Sequence, residues 1–394
     1  MSLSLEHLPL LGYFALIGAL LVTVAPQFLR KPNAMSLVFL ILALASLGST
    51  WTYMFAFFRR SFEDSAFRAG LPAASYSTRA WLADVSLFQE AWQYVCATPH
   101  RYWWSEQLCL WTTGPLTILL AVDGRRYGIK RTWAYMLLGQ VVAISFAQNL
   151  FFAAIALSPR PAAAQRKPAT PTTPGALPPK SAEQSPLTWL TLLAVVLANA
   201  SVAFAPHTNH TRFFLPNLLL MHAVLFLPFV FPDRKSAPVN LSRFYLNIGL
   251  VALRFRAPTI FEIVKDKGIS LSVKEVLPRV PELLYGQWKV LNEHPAQQSI
   301  GWDVIFTSLS ALAYLAWTVR RPVRKDDRVD WIYVLLAAVG IPFVGAGTAV
   351  GCTLAIFEGK REQKEDAVRK LEETRRAEAV KGVAALGGDK KKKQ

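Results

Sequence analysis

In "RYWWSEQLCLWTTGPLTILLAV", residues 101–122, Glu106 stands beside Gln107 at the mouth of an apolar run, among Trp103, Trp104 and Trp111. "SIGWDVIF", residues 299–306, sets Asp303 beside Trp302 in the same way. Ionisable groups at membrane depth are costly unless they are paired, hydrated or functional. A carboxylic acid shielded from water keeps its proton at neutral pH and can act as a general acid. Aromatic faces stabilise a passing cation without trapping it as a nucleophile would. Gln148 and Asn149 in another apolar run, Glu90 and His294 in adjoining loops and His222 nearer mid-membrane extend these residues into a candidate polar floor under an apolar cavity. Plainer roles stand beside each: interfacial carboxylates in headgroup water for Glu106 and Asp303, a satisfied packing histidine for His222, and interfacial anchors for the tryptophans.

Other chemistry finds little support. "KDDRVD" contains an Asp-Asp-x-x-Asp pattern, Asp326, Asp327 and Asp330, but magnesium-diphosphate chemistry needs a second acidic motif and none follows, so a solvated charge cluster is expected. Cys96, Cys109 and Cys352 are scattered and suggest buried free thiols, with neither a disulfide framework nor a metal site. Gly-rich phosphate loops, HExxH and GxSxG are absent, and no cofactor is expected. Asp123, in "DGRRYGIKR", is expected to pair with Arg125 or Arg126 as a loop anchor.

The elements that must position these residues are membrane helices. Of 394 residues, 53% are hydrophobic, and the apolar ones come in blocks near the ~20 residues that cross a bilayer. Eight spans are expected: 10–29, 34–58, 107–122, 132–157, 187–205, 213–231, 300–319 and 331–357. The fold class is therefore all-α, a polytopic membrane helix bundle with interfacial amphipathic helices. Residues 1–158 form an N-terminal four-helix half and 187–357 a C-terminal one with an interfacial loop at 232–299. The Pro/Ala/Thr-rich 159–186 is a disordered linker, and 358–394 is a charged helical tail. Trp81, Val85, Phe88, Trp92 and Val95 share one helical face on the membrane surface, and a similar pair of helices lies within 243–291, the second broken at Pro278 and Pro281.

The net charge of +17 is spread over loops and tail, as membrane flanks require, and does not mark a nucleic-acid site. The end, "KKKKQ", with Lys391 and Lys392, resembles a dilysine retrieval signal of the endoplasmic reticulum and expects a cytosolic C-terminus. With eight spans the loops at 59–104, 158–186 and 232–299 join the tail on one side. The basic loops at Arg125–Arg131 and Arg320–Lys325 and the Asn209 sequon then face the other.

"WWSEQL", "AYMLLGQVVAISFAQNLFF" and "HPAQQSIGWDVIF", with the Pro-rich insertion and charged tail, resemble the fungal integral-membrane terpene cyclases of meroterpenoid pathways, of the ascofuranone and macrophorin type. The resemblance implies a metal-independent cyclase that protonates an epoxide or terminal olefin on the farnesyl chain of an aromatic polyketide and closes a ring through a carbocation. In that reading Glu106 or Asp303 is the acid and the other its partner or terminal base, with Glu90, Asn149 and His222 in reserve. Trp103, Trp104, Trp111 and Trp302 form the cation-stabilising wall, and Gln107 and Gln148 complete the floor. The rival expectation is a non-catalytic transporter or scaffold.

Overall fold

The computed structural model describes residues 8–159, 188–231, 239–270, 272–320 and 331–390. Among them there are helices and turns and no strand. The linker and the Asp326–Asp330 cluster lie outside the described residues.

The chain is an all-α polytopic membrane bundle. Its helices are α1 (Leu8–Val24), α2 (Ala34–Arg68), α3 (Thr78–Asp84), α4 (Leu87–Val95), α5 (Pro99–Trp111), α6 (Thr117–Arg126), α7 (Thr132–Val141), α8 (Ile144–Leu157), α9 (Trp189–Thr208), α10 (Phe214–Val224), α11 (Leu227–Val230), α12 (Leu241–Asp266), α13 (Val273–Leu291), α14 (Pro295–Arg320) and α15 (Trp331–Lys390). Among the described residues, five stretches are long and apolar enough to cross a membrane: Leu11–Phe28, Ala34–Arg68, Trp189–Thr208, Pro295–Arg320 and Trp331–Lys364. Between α5 and α6 the chain stays helical through a π turn, Thr112–Leu116, containing Pro115. Proline lacks the N–H and crowds the carbonyl four residues back, and the wider turn relieves both.

Two of the expected spans are not spans. Residues 132–157 reverse at Val142 and Ala143, where Ala143 is extended (φ −168°, ψ 139°). Tyr135 and Phe151 then pack ring to ring at 5.6 Å, whereas sixteen residues of straight helix would hold them ~24 Å apart. Residues 331–364 reverse at Gly345 (φ 79°, ψ 162°). Thr353 Oγ1 reaches the Tyr333 carbonyl at 3.4 Å and Lys360 Nζ lies 5.0 Å over the Tyr333 ring, across a stretch that would exceed ~30 Å if straight. Each is a helical hairpin, α7/α8 and the two arms of α15, 331–344 and 346–390.

Both hairpins open on the same side. Arg131 donates to the Thr23 carbonyl at the end of α1, and Asn33 and Arg30 donate to the Ala156 and Leu157 carbonyls at the end of α8. At the base of the second hairpin Arg126 holds Glu358 through two hydrogen bonds of 2.7 and 2.6 Å, and Tyr314 donates to Asp123 at 2.6 Å. The expected pairing of Asp123 is with Arg126, at 3.1 Å. This is the tail side.

The far side gathers α3, α4, α13 and the turn after α9. There Asn209 donates to the Gln93 carbonyl at 3.1 Å, so the sequon shares a side with residues 59–98, contrary to the eight-span expectation. Helix α12 was expected on the surface. Instead it traverses the bundle: Asn240 and Ser242 meet Glu362 on the tail side, and Asp266 meets His100 on the far side at 3.5 Å. Seven traverses result, α1, α2, α5–α6, α9, α10–α11, α12 and α14, with the two hairpins set among them.

Two smaller expectations also change. The stretch 80–98 is not one helix but α3 and α4, broken at Val85 and Ser86. Helix α13 runs through Pro278 and Pro281 unbroken, presenting Leu277, Tyr285 and Trp288 outward as an interfacial helix does. All three cysteines are free.

Candidate functional site

At the tip of the first hairpin lies a cavity of about 150 Å³. Its wall is apolar, from Leu108, Met221, Leu225 and Ile300, with Thr50, Thr112, Thr113, Gln140, His222, Ser299 and Asp303 as polar groups. The segment "GQVVA" that ends α7 has no proline at the break. Only Ala143 is extended there, Val142 keeping helix-region dihedrals (φ −117°, ψ −74°), and the reversal is held from outside, by α14.

Asp303 is the holder. It is buried, and its two carboxylate oxygens accept the backbone N–H groups of Ile144 (3.0 Å) and Ser145 (2.7 Å). Those are orphan donors at the start of α8, where the helix dipole also favours negative charge. Asp303 is thus an N-cap supplied by another helix, and it still lines the cavity. The opposite end of the break is the C-terminus of α7, whose Gly139, Gln140 and Val142 face the same space. Helix C-termini carry partial negative charge, so the cavity favours a positively charged occupant.

His222 completes it. Gln140 Nε2 reaches the His222 carbonyl at 3.4 Å, the imidazole packs on Phe88 and Trp92 at 5.5 and 6.3 Å, and the buried Nε2 has no hydrogen-bond partner among the described residues.

Glu106 does not line this cavity. It is buried with its carboxylate 3.6 Å from the Arg256 guanidinium of α12. Arg256 is fully buried, donates to the carbonyls of Phe343 (3.1 Å) and Trp103 (3.0 Å) and lies 4.7 Å over the Trp103 ring. Phe343 ends the first arm of α15, so Arg256 supplies donors to a helix C-terminus and Glu106 is its counter-ion. Leu108 and Cys109, two and three residues further along α5, line the cavity, while Glu106 does not.

The remaining expected site residues divide accordingly. Gln148 and Asn149 do lie close to Asp303, because the hairpin brings α8 back along α14. Gln148 accepts from Trp111 at 2.6 Å and donates to the Thr307 carbonyl and Ser310, while Asn149 donates to the Ser145 carbonyl. These are packing bonds, and neither residue lines the cavity. Gln107 donates to the Trp103 carbonyl and Trp104 to the Gln287 carbonyl. Trp302 packs against Trp288 and Phe306. None of Trp103, Trp104, Trp111 and Trp302 faces the cavity, so the expected cation wall is not there, and Trp103 meets a resident cation instead. Glu90 is remote, accepting from Ser61 at 2.7 Å. His294 stacks on Tyr94 at 3.9 Å in the far-side loop, and burial, then the nearby Arg60, pulls its pKa below the usual imidazole value.

Sequence reasoning missed Trp92, Gln140, Thr112 and Thr113 as cavity residues, and Arg256 and Gly345 as tip residues. Arg256 left a trace, an arginine between apolar stretches in "LVALRFRAP". Nothing distinguished Trp92 or Gln140. Compared with known proteins, the chain matches no family model, no curated protein and no solved structure.

Proposed function

We propose that this protein is a membrane-bound terpene cyclase acting on the prenyl chain of a farnesylated aromatic polyketide in meroterpenoid biosynthesis, with the cavity at the first hairpin tip as its reaction site. The observation that carries this reading is electrostatic. A carboxylate and a helix C-terminus converge on an apolar space in the bundle interior, and such a space stabilises a carbocation. Leu108, Met221, Leu225 and Ile300 give that space an apolar wall against which the cation would lie.

The resting pair is then a His222 imidazolium and an Asp303 carboxylate. His222 gives its Nε2 proton to an epoxide oxygen, whose C–O bond opens as the next olefin's electrons form the ring bond, or to the terminal carbon of an olefin, whose cation the next olefin's electrons capture. The final cation loses a proton to Asp303, and that proton returns to His222 before the next turnover, so the sum is an isomerisation. A drug-sized ligand occupies roughly 300 Å³ or more, so the cavity takes the reacting end of the chain and the remainder lies between helices. Residence in the endoplasmic reticulum is part of this proposal, supported by the resemblance of "KKKKQ" to a dilysine retrieval signal.

Microsomes carrying the chain, supplied with an epoxyfarnesyl phenol, test this by chromatographic detection of a cyclic isomer. His222→Gln and Asp303→Asn should each lower turnover by about 100-fold or more at equal folded protein, while Glu106→Gln retains turnover. Unchanged turnover in the first two variants rejects the site. No conversion of any epoxide or olefin by the wild type rejects the class.

The hairpins favour one second reading. Helices broken at mid-depth are also how carriers build binding sites for cations. Cation flux into proteoliposomes, with no isomer formed, would replace the cyclase by a carrier using the same cavity.

A further inference from the structure

The loops at 123–131 and 320–330 oppose the tail only when 132–157 and 331–357 are counted as spans. The hairpins remove two crossings from that count and α12 adds one. Among the described residues, the basic segments 29–33, 123–131, 239–243, 320 and 358–390 all belong to one side. Together they hold 17 Lys and Arg residues and nine acids. The far-side segments 59–101, 206–213 and 262–294 hold 11 and nine.

The two sides also use their charges differently. On the far side cations are spent on neighbours: Arg59 with Glu63, Arg60 with Asp64, Arg101 with Glu293 and Arg279 with Glu282. On the tail side the acids Asp123 and Glu358 are taken by buried or half-buried Arg126 and Arg361. Arg30, Lys31, Arg125, Lys130, Arg131 and Arg320 remain exposed, and no ion pair joins them to an acid among the described residues. They sit at the ends of α1, α6 and α14, the level at which helix ends meet headgroups.

We propose that the tail side is a docking surface for anionic phospholipid headgroups, and that it is held against the cytosolic leaflet. The N-terminal end of α1, α3, α4, α13 and the Asn209 turn then face the opposite compartment. Clustered basic residues at membrane boundaries are attracted to anionic lipid and are retained on the cytosolic side. Nothing in this inference depends on what the cavity binds.

The test uses the full chain in sealed microsomes. A membrane-impermeant maleimide should label Lys130→Cys without permeabilisation and Arg212→Cys only after it, against the background of the wild type's own cysteines. Labelling of both from outside overturns the seven-traverse arrangement, and the reverse pattern overturns the orientation. Headgroup docking is read separately in nanodiscs of phosphatidylcholine with and without phosphatidylglycerol. The anionic lipid should raise the thermal midpoint by several degrees, an effect removed by high salt and by Arg125→Glu/Lys130→Glu/Arg131→Glu. An equal midpoint in both lipids overturns the docking.

Discussion

The two hairpins enter from the same side, reverse inside the bundle and are each held by one buried charge from a traversing helix, yet the charges are opposite. At the first tip Asp303 accepts from the N–H groups that begin the outgoing arm. At the second Arg256 donates to the Phe343 carbonyl that ends the incoming arm. Each charge matches the dipole of the helix end it meets. What differs is the space left over. The second tip is filled: a Cβ on Gly345 would stand 3.2 Å from Gln107 Cγ and near Arg256. The first leaves a cavity with His222 beside it. A charge that closes a packed tip serves stability, and one that also borders a cavity is available for chemistry.

The comparison breaks most severely at the packed tip. Arg256→Met strands Glu106 without a counter-ion and should cost ~3–5 kcal/mol, read as a fall in thermal midpoint in detergent. Adding Glu106→Leu should recover most of it. A single variant as stable as the wild type would remove Arg256 as the holder. Gly345→Ala forces a side chain into a backbone region that only glycine occupies comfortably, at ~1–3 kcal/mol; wild-type stability would mean that the reversal tolerates another conformation.

At the open tip the expected stability effects are smaller. Asp303→Ala removes a cap, ~0.5–2 kcal/mol, and should raise hydrogen exchange at Ile144 and Ser145 before any other helix start. Uniform exchange throughout would show that the cap is dispensable. His222→Gln should cost about 1 kcal/mol or less while removing turnover. A loss of stability matching that of Arg256→Met would make His222 a packing residue and return the first tip to the class of the second.

Much of the fold was legible because apolar blocks of membrane length admit few alternatives to helices. The site was less so. Glu106 and Asp303 look alike in sequence, each an acid among tryptophans where an apolar run starts, and nothing local says that one faces a guanidinium and the other a helix N-terminus. Their partners lie 150 and nearly 160 positions away. The hairpins escaped for a related reason. Hydropathy measures how apolar a stretch is, not whether it continues straight, and "GQVVAIS" reads as helix throughout.

Composition and periodicity by themselves determined that this chain is helical and lies in a membrane, which residues are too polar to be there without a reason, and that the charge excess belongs to its flanks. Only the tertiary structure decided which of those polar residues had found a partner, which helix ends lie together and where a cavity remains. The physical reason is that a buried charge is resolved by whatever stands within a few ångströms of it. In this bundle that neighbour comes from a different helix, distant along the chain.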